Sequence, residues 1–200
     1  FLAASSRDLI ERTLNTDRLA VYSTPPFHQE GLQKIPELID FFKNQEQERR
    51  LSKLPEIHFN ISLIYALNRQ SDQALEYIDK VLALKRSGLR IDTFVFANLL
   101  RILIAVQYRD SLFVENTYRS VMRFLKGISY VPNIQETVMG LGRRFLRADD
   151  DQERLFALNN FLREVEKIRQ LPSERNYLIY IDLQFFAEQE LANLPDESGN

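Results

Sequence analysis

The chain contains no cysteine. Disulfide bridges, thiolate metal sites and a thiol nucleophile are therefore excluded. Only two histidines are present, His28 and His58. They leave almost nothing from which to build an imidazole metal site or a catalytic triad. Six glycines in 200 residues argue against a glycine-rich phosphate loop and against many tight β-turns. Long hydrophobic runs are missing too. The most apolar stretch, 94–106, is interrupted by Asn98 and Arg101 and falls short of the roughly 18 apolar residues that a membrane span requires. No span is expected. The opening residues, Phe1 to Ser6, are too few for a signal peptide and lack its basic region. The chain opens on Phe1 rather than Met, so it reads as a fragment or processed form, with the cytoplasm as the expected location.

What remains is the composition of a globular protein: 44% apolar and 27% charged residues, enough length for one domain with its own core. Apolar residues recur at three- and four-residue spacing along nearly the whole chain, which is the helical period. Leu9, Ile10 and Leu14 predict a short first helix. Residues 19–27, with Pro25 and Pro26, read as an irregular connection. Pro36 suits the first turn of a second helix, which carries Leu38, Ile39, Phe41 and Phe42 and runs into the polar stretch 43–50. Pro55 opens a third helix with Ile57, Ile61, Ile64, Tyr65 and Leu67. Ser71 is expected to cap a fourth, and Gly88 to stop it. Asp92 is expected to cap a fifth helix reaching Tyr108. A sixth starts at Asp110 or Ser111 and ends at Gly127, and a seventh runs from Pro132 to Arg147. The acidic triplet Asp149 to Asp151 suits the start of an eighth, striped by Leu155, Leu158, Leu162, Val165 and Ile168. A ninth begins at Pro172–Glu174. Tyr177 to Ile181 is rich in β-formers, but no partner strand is readable elsewhere, so a helix buried on more than one side is expected.

The third and fourth helices carry more than periodicity. Tyr65 is followed nine residues later by Ala74, then by Ile78 and Val81, with Asn60 one turn before Tyr65. This pattern resembles a tetratricopeptide repeat. Ser62 stands where that motif usually has a small glycine, Arg69 where it has a turn glycine, and Arg86 where a proline often closes the repeat. A second pair follows, with Asn98 echoing Asn60 38 residues later, and a third covers residues 134–168. The layout is also similar to bacterial proteins with degenerate tetratricopeptide-like helices, a resemblance that implies no activity. It implies an all-α, right-handed superhelix of antiparallel helix pairs, an α-α solenoid of eight or nine helices. Residues 1–34 would form an N-terminal cap region, 35–170 the hairpins, 171–194 a capping helix and 195–200 a disordered tail. Stacked hairpins of this kind bury a continuous core and leave a grooved surface.

The net charge of −2 hides an asymmetry. Residues 86–147 hold ten Lys and Arg against four Asp and Glu, a local +6, and the remainder is −8. Arg outnumbers Lys by 19 to 7 across the chain, which favours fork-shaped recognition of carboxylate or phosphate. Arg119, Arg123 and Lys126 form one helical stripe, and Arg143 and Arg147, beside Arg144, form another. If their helices pack together, these make one basic patch, an anion or acidic-peptide site. The competing expectation is a solvated surface paired with Glu115, Glu136 or residues 149–151. Asn98, Arg101 and Asn60 are candidates to clamp a peptide backbone or carboxylate. Gly140 and Gly142 are expected to allow close helix packing rather than to cradle phosphate, since neither a preceding strand nor a Lys-Ser/Thr is present. His58 is expected in a core or interface.

No nucleophile–base pair, metal set or cofactor motif is readable, so the expected function is a non-enzymatic scaffold for a protein or peptide. The alternative is an anion or nucleic-acid binding module using residues 86–147. Nucleic acid is the weaker partner because such domains are usually basic overall.

Overall fold

The computed structural model describes residues 2–47, 53–84, 91–128 and 132–194. Among them are nine α-helices, one 3-10 turn and no strand: α1 (Leu2–Tyr22), α2 (His28–Gln47), α3 (Leu54–Leu67), α4 (Ser71–Ala83), α5 (Ile91–Tyr108), α6 (Ser111–Leu125), α7 (Asn133–Phe145), α8 (Asp151–Arg169), the 3-10 turn (Arg175–Ile179) and α9 (Leu183–Ala192). The all-α class follows from the helical periodicity. Arg86, Gly88, part of the polar stretch 43–50 and the tail 195–200 lie outside the described residues. Packing divides the chain into two units, Phe1–Thr93 and Phe94–Asn200.

In the first unit, α1 is longer than expected and takes in residues 19–22 of the expected connection, and the expected stripe residues Ile10 and Leu14 are on its outer side. Ile10, Leu14 and Val21 are exposed, and the buried line is Asn15, Leu19 and Ser23. Helix α2 starts eight residues before Pro36, which lies inside it. The proline costs the helix one N–H but does not break it, because Ile35, Leu38 and Phe42 on the same face are sealed into the core. Gly31 is what lets α2 begin early. A Cβ there would lie 2.6 Å from the Tyr22 Cβ and 3.1 Å from its carbonyl oxygen, so the two helices cross where only hydrogen fits. Leu19, Ile35, Leu38, Phe42, Ile57, Ile61, Ile64 and Tyr77 form the core. Each large apolar side chain buried there contributes about 1.5–3 kcal/mol.

Pro55 lies in the first turn of α3. That helix is buried on nearly every side, as expected where apolar residues surround the axis. Its neighbour α4 is amphipathic and buries Ala74, Tyr77, Ile78 and Val81. Gln70, not Ser71, holds the cap position of α4, and its side chain makes no capping bond. Ser62 explains its own departure from glycine. It is fully buried, and its hydroxyl donates to the Ala74 carbonyl at 2.7 Å, tying α3 to α4 where Ala74 lets them approach.

Arg69 and Arg109 both adopt the left-handed region, at φ 57° and 55°. Each is followed two residues later by the serine that opens the next helix, in Arg69-Gln70-Ser71 and Arg109-Asp110-Ser111. The same turn therefore recurs after α3 and after α5. A side chain in this region costs roughly 1–2 kcal/mol that glycine avoids. Arg69→Gly is expected to raise the urea midpoint, by about 1 kcal/mol of stability. A lowered midpoint would mean that the arginine side chain contributes more than the backbone strain removes. Arg109 is a poorer choice, since its guanidinium donates to the Asn193 carbonyl at 2.7 Å.

Most of α5 lies in the second unit, where nearly all of its residues from Phe94 to Gln107 are buried. Its 18 residues are long and apolar enough to cross a membrane by length and composition, contrary to the expectation drawn from 94–106 alone; 72% of the stretch is buried within the protein, as in a core helix. Asp92 lies inside its first turn, with its Oδ1 accepting from the Thr93 N–H. Asp110 caps α6 by accepting from the Phe113 N–H, and Asp150 caps α8 by accepting from the Glu153 N–H. Glu153 in turn accepts from the Asp149 N–H, so the acidic triplet is a helix start. The stripe of α8 is Ala157, Leu158, Phe161, Val165 and Ile168. Leu155 is exposed instead, and Leu162 is only half-buried.

The expected ninth helix is broken in two. Residues 175–179 form the 3-10 turn, and the helix proper starts only at Leu183, capped by Asp182. The rings of Tyr177 and Tyr180 pack on Phe96, the latter stacked at 4.6 Å. The β-forming residues are therefore aromatic anchors against α5, not a strand.

Candidate functional site

The basic stripe of α6 results from ordinary amphipathicity. Val114, Thr117, Val121 and Leu125 face inward, which turns Arg119, Met122, Arg123 and Lys126 to the other side. Helix α7 lies beside it because Gly142 has no side chain. A Cβ at Gly142 would meet Ile102 Cγ2 at 3.0 Å and Tyr118 Cδ2 at 3.4 Å. Gly140 behaves differently from the expectation made for both glycines. A Cβ there would find nothing closer than 3.8 Å, and its nearest neighbours are the ends of Arg144 and Glu164. It opens a wall.

That wall belongs to a cleft of about 620 Å³, lined by Met122, Leu125 and Lys126 near the end of α6, by Gln135, Glu136, Met139, Gly140, Arg143 and Arg144 among the residues of α7, and by Glu164 of α8. A second groove of about 560 Å³ continues from it along α6, past Asn116, Tyr118, Arg119 and Arg123, and the two share Met122 and Lys126. The structure thus places Lys126, Arg143 and Arg144 on the larger depression and Arg119, Arg123 and Lys126 on the adjoining one. Both methionines of the chain, Met122 and Met139, line the larger one.

The cations differ in how they are held. Arg144 is paired with Glu164 through two contacts, at 2.7 and 3.4 Å. Arg119 is paired with Glu115 on α6. Both are exposed or half-exposed pairs, which contribute little to stability. Arg143 donates to the Tyr118 hydroxyl at 3.1 Å, and Arg123 to the Arg119 carbonyl at 3.4 Å. These partners carry no charge, so both guanidiniums keep their full positive field. Lys126 is exposed and has no acidic partner among the described residues. Glu136 also lines the cleft, so the depression is positive but mixed.

Other candidate residues stand elsewhere. Arg147 is exposed and lines neither groove. Asn98 is 4% exposed, and its amide donates to the Phe94 carbonyl one turn back at 2.8 Å; it is turned inward and is not a peptide clamp. Arg101 is half-buried on α5 in the second unit, and Asn60 half-buried on α3 in the first. His58 is buried and meets the Tyr77 ring edge-on at 5.8 Å. Burial, with Lys80 adding to it, pushes its pKa down to about 4, so it is a neutral core residue at pH 7. Among the described residues no three His, Asp or Glu gather as a metal site.

Two functional features escaped the sequence reading. The first is Glu174, expected to start a ninth helix. It is 6% exposed, and its carboxylate closes the start of α7, accepting from the Asn133 amide at 2.6 Å and from the Ile134 N–H at 3.2 Å. Pro132, at the cap position of α7, supplies no side-chain bond. Glu174 thus replaces the missing cap from 40 residues away and sets the end of the cleft wall. The second is Gln135, 4% exposed, which lines the cleft while its side-chain oxygen has no hydrogen-bond partner among the described residues. Helical spacing marks the basic stripe, but no local pattern signals either of these. No protein-family model matches the chain, and neither a curated protein nor a solved structure matches it.

Proposed function

We propose that the protein is a non-enzymatic binding module, a scaffold of tetratricopeptide-like helix pairs that holds an acidic peptide segment of a partner protein between α6 and α7. The observation that carries this reading is the cleft itself, which Lys126 and Arg143, without an ion-pair partner among the described residues, line together with Met122 and Met139. Methionine is flexible and polarizable and adapts to varied apolar partners, while the cations select negative ligands and speed their encounter. The repeated Arg-X-Ser turn after α3 and α5 supports the repeat layout. The arginine-rich character of α6 and α7 supports a second reading, in which the same cations bind an anion or nucleic acid.

The test is fluorescence anisotropy with a labelled acetyl-Glu-Leu-Glu-Leu-Glu-amide, against its Lys/Leu counterpart and a 20-mer oligonucleotide. The acidic peptide is expected to bind and to weaken with salt. The double variant Lys126→Glu, Arg143→Glu is expected to lose at least tenfold in affinity, about 1.4 kcal/mol or more. Gly140→Leu, which puts a side chain into open space, is expected to block the cleft. Equal binding by these variants, or preference for the Lys/Leu peptide, overturns the reading. Tighter binding of the oligonucleotide favours the second.

A further inference from the structure

The smaller groove along α6 differs in chemistry from the cleft beside it. Glu136 and Glu164 line the cleft together with its cations. Among the described residues, those lining the smaller groove include Arg119, Arg123 and Lys126 but no acid. These three stand at i, i+4 and i+7 on one helix, so they share a face. Arg119 and Lys126 start about 10 Å apart along the axis, with Arg123 between them. All three are exposed.

The way the guanidiniums are held decides what they can still bind. Arg123 is held through its Nε, which donates to the Arg119 carbonyl. Arg143 on α7 is held in the same way, its Nε donating at 3.1 Å to the hydroxyl of Tyr118, a residue of the groove. Neither has an ion-pair partner among the described residues, so each keeps its two terminal Nη groups for a ligand. Arg119, by contrast, is paired with Glu115. Two forks and the Lys126 ammonium thus carry three positive charges that no carboxylate offsets. A carboxylate in a ligand brings one negative charge and two oxygens. A phosphate monoester brings a charge of about −1.5 to −2 and three acceptor oxygens, and arginine forks match it bidentately.

Resting on the reading proposed above, we infer that the acidic segment is phosphorylated: the groove along α6 takes the phosphate of a phosphoserine or phosphothreonine between Arg123, Lys126 and Arg143, while an adjacent apolar side chain enters the cleft at Met122 and Met139. Met122 and Lys126 line both depressions, so the charged and the apolar contact meet there. That apolar wall is the reason the phosphate belongs to a polypeptide. A nucleic acid would extend a polyanion over a chain whose net charge is −2, where nucleic-acid domains are usually basic overall.

Anisotropy titrations test this by comparing acetyl-Glu-Leu-Glu-Leu-Glu-amide with the same peptide carrying phosphoserine at its central position. The phosphopeptide is expected to bind at least tenfold more tightly. Arg123→Gln changes an exposed residue and removes one fork. It is expected to cost the phosphopeptide at least tenfold and the Glu peptide a smaller factor, so that the preference falls to threefold or less. Arg147→Gln removes the same charge outside both grooves and is expected to keep the preference. Free O-phosphoserine is expected to displace the phosphopeptide only at concentrations at least a hundredfold above those at which unlabelled phosphopeptide does. If the phosphopeptide binds no better than the Glu peptide, or if Arg123→Gln leaves the preference intact, the inference is overturned and the acidic-peptide reading stands. An equal loss of preference in Arg147→Gln traces the effect to net charge and overturns it too. If neither peptide binds, both readings fall. Displacement by O-phosphoserine at the peptide's own concentration assigns the groove to a small phosphorylated molecule, and tighter binding of a 20-mer oligonucleotide assigns it to a nucleic acid; either result overturns the phosphopeptide.

Discussion

Glu174→Ala is expected to destabilise the second unit by about 3 kcal/mol, on the basis that hydrogen bonds to a charged group are worth roughly 1.5–3 kcal/mol each. The residue makes two, to the Asn133 amide and the Ile134 N–H, at a site only 6% exposed. Its removal strands a buried N–H in the first turn of α7, where Pro132 supplies no substitute. It also takes a negative charge from the positive end of the helix. Thermal unfolding followed by circular dichroism should show a drop of about 10 °C. Glu174→Gln keeps the shape and one good acceptor and should recover roughly half the loss. Hydrogen exchange should report the damage at Ile134 before it reaches α8. A midpoint within about 2 °C of wild type, or exchange that rises uniformly, would show that α7 starts without this carboxylate.

A second pair of substitutions should have opposite signs although the chemistry is identical. Gly31→Ala places a Cβ 2.6 Å from the Tyr22 Cβ and 3.1 Å from its carbonyl oxygen. Neither atom is the end of a flexible chain, so α1 and α2 must separate. Overpacking of this kind costs about 1–3 kcal/mol, more than the roughly 1 kcal/mol that alanine gains over glycine inside a helix. Gly140→Ala meets nothing closer than 3.8 Å and should simply collect that gain. Urea unfolding should therefore move the two midpoints in opposite directions. If both rise, the crossing of α1 and α2 is loose enough to yield, and Gly31 is not what sets it.

Most of the helices were legible because each must bury a face, and that demand imprints a period on its residues. Their starts were legible where a side chain close in sequence supplies the cap, as Asp110 and Asp150 do. Reading failed where the deciding group is distant or where tertiary contact overrides a local rule. Pro36 is tolerated inside α2 because its flanking residues are sealed in a core. Ile10 and Leu14 look like a core face, yet the residues of α1 described as buried are Asn15 and Leu19. The run after Glu174 has β-forming residues because Phe96 gives their rings a surface. For the cleft, the basic stripes of α6 and α7 were visible on a helical wheel. Their meeting was not, because it depends on Gly142 resting against Ile102 and Tyr118. Asn98 was misplaced because a buried asparagine bonded to its own helix has the same sequence signature as one facing a groove.

The bond between Glu174 and the start of α7 also has a consequence for the order of events on the ribosome. Synthesis runs from the N-terminus, so α7 emerges about 40 residues before the carboxylate that finishes its first turn. Until Glu174 clears the exit tunnel, Asn133 and Ile134 have only water to bond, and the wall that carries Gln135, Arg143 and Arg144 has no fixed end. The cleft therefore takes its final form only after every residue that lines it has already been built.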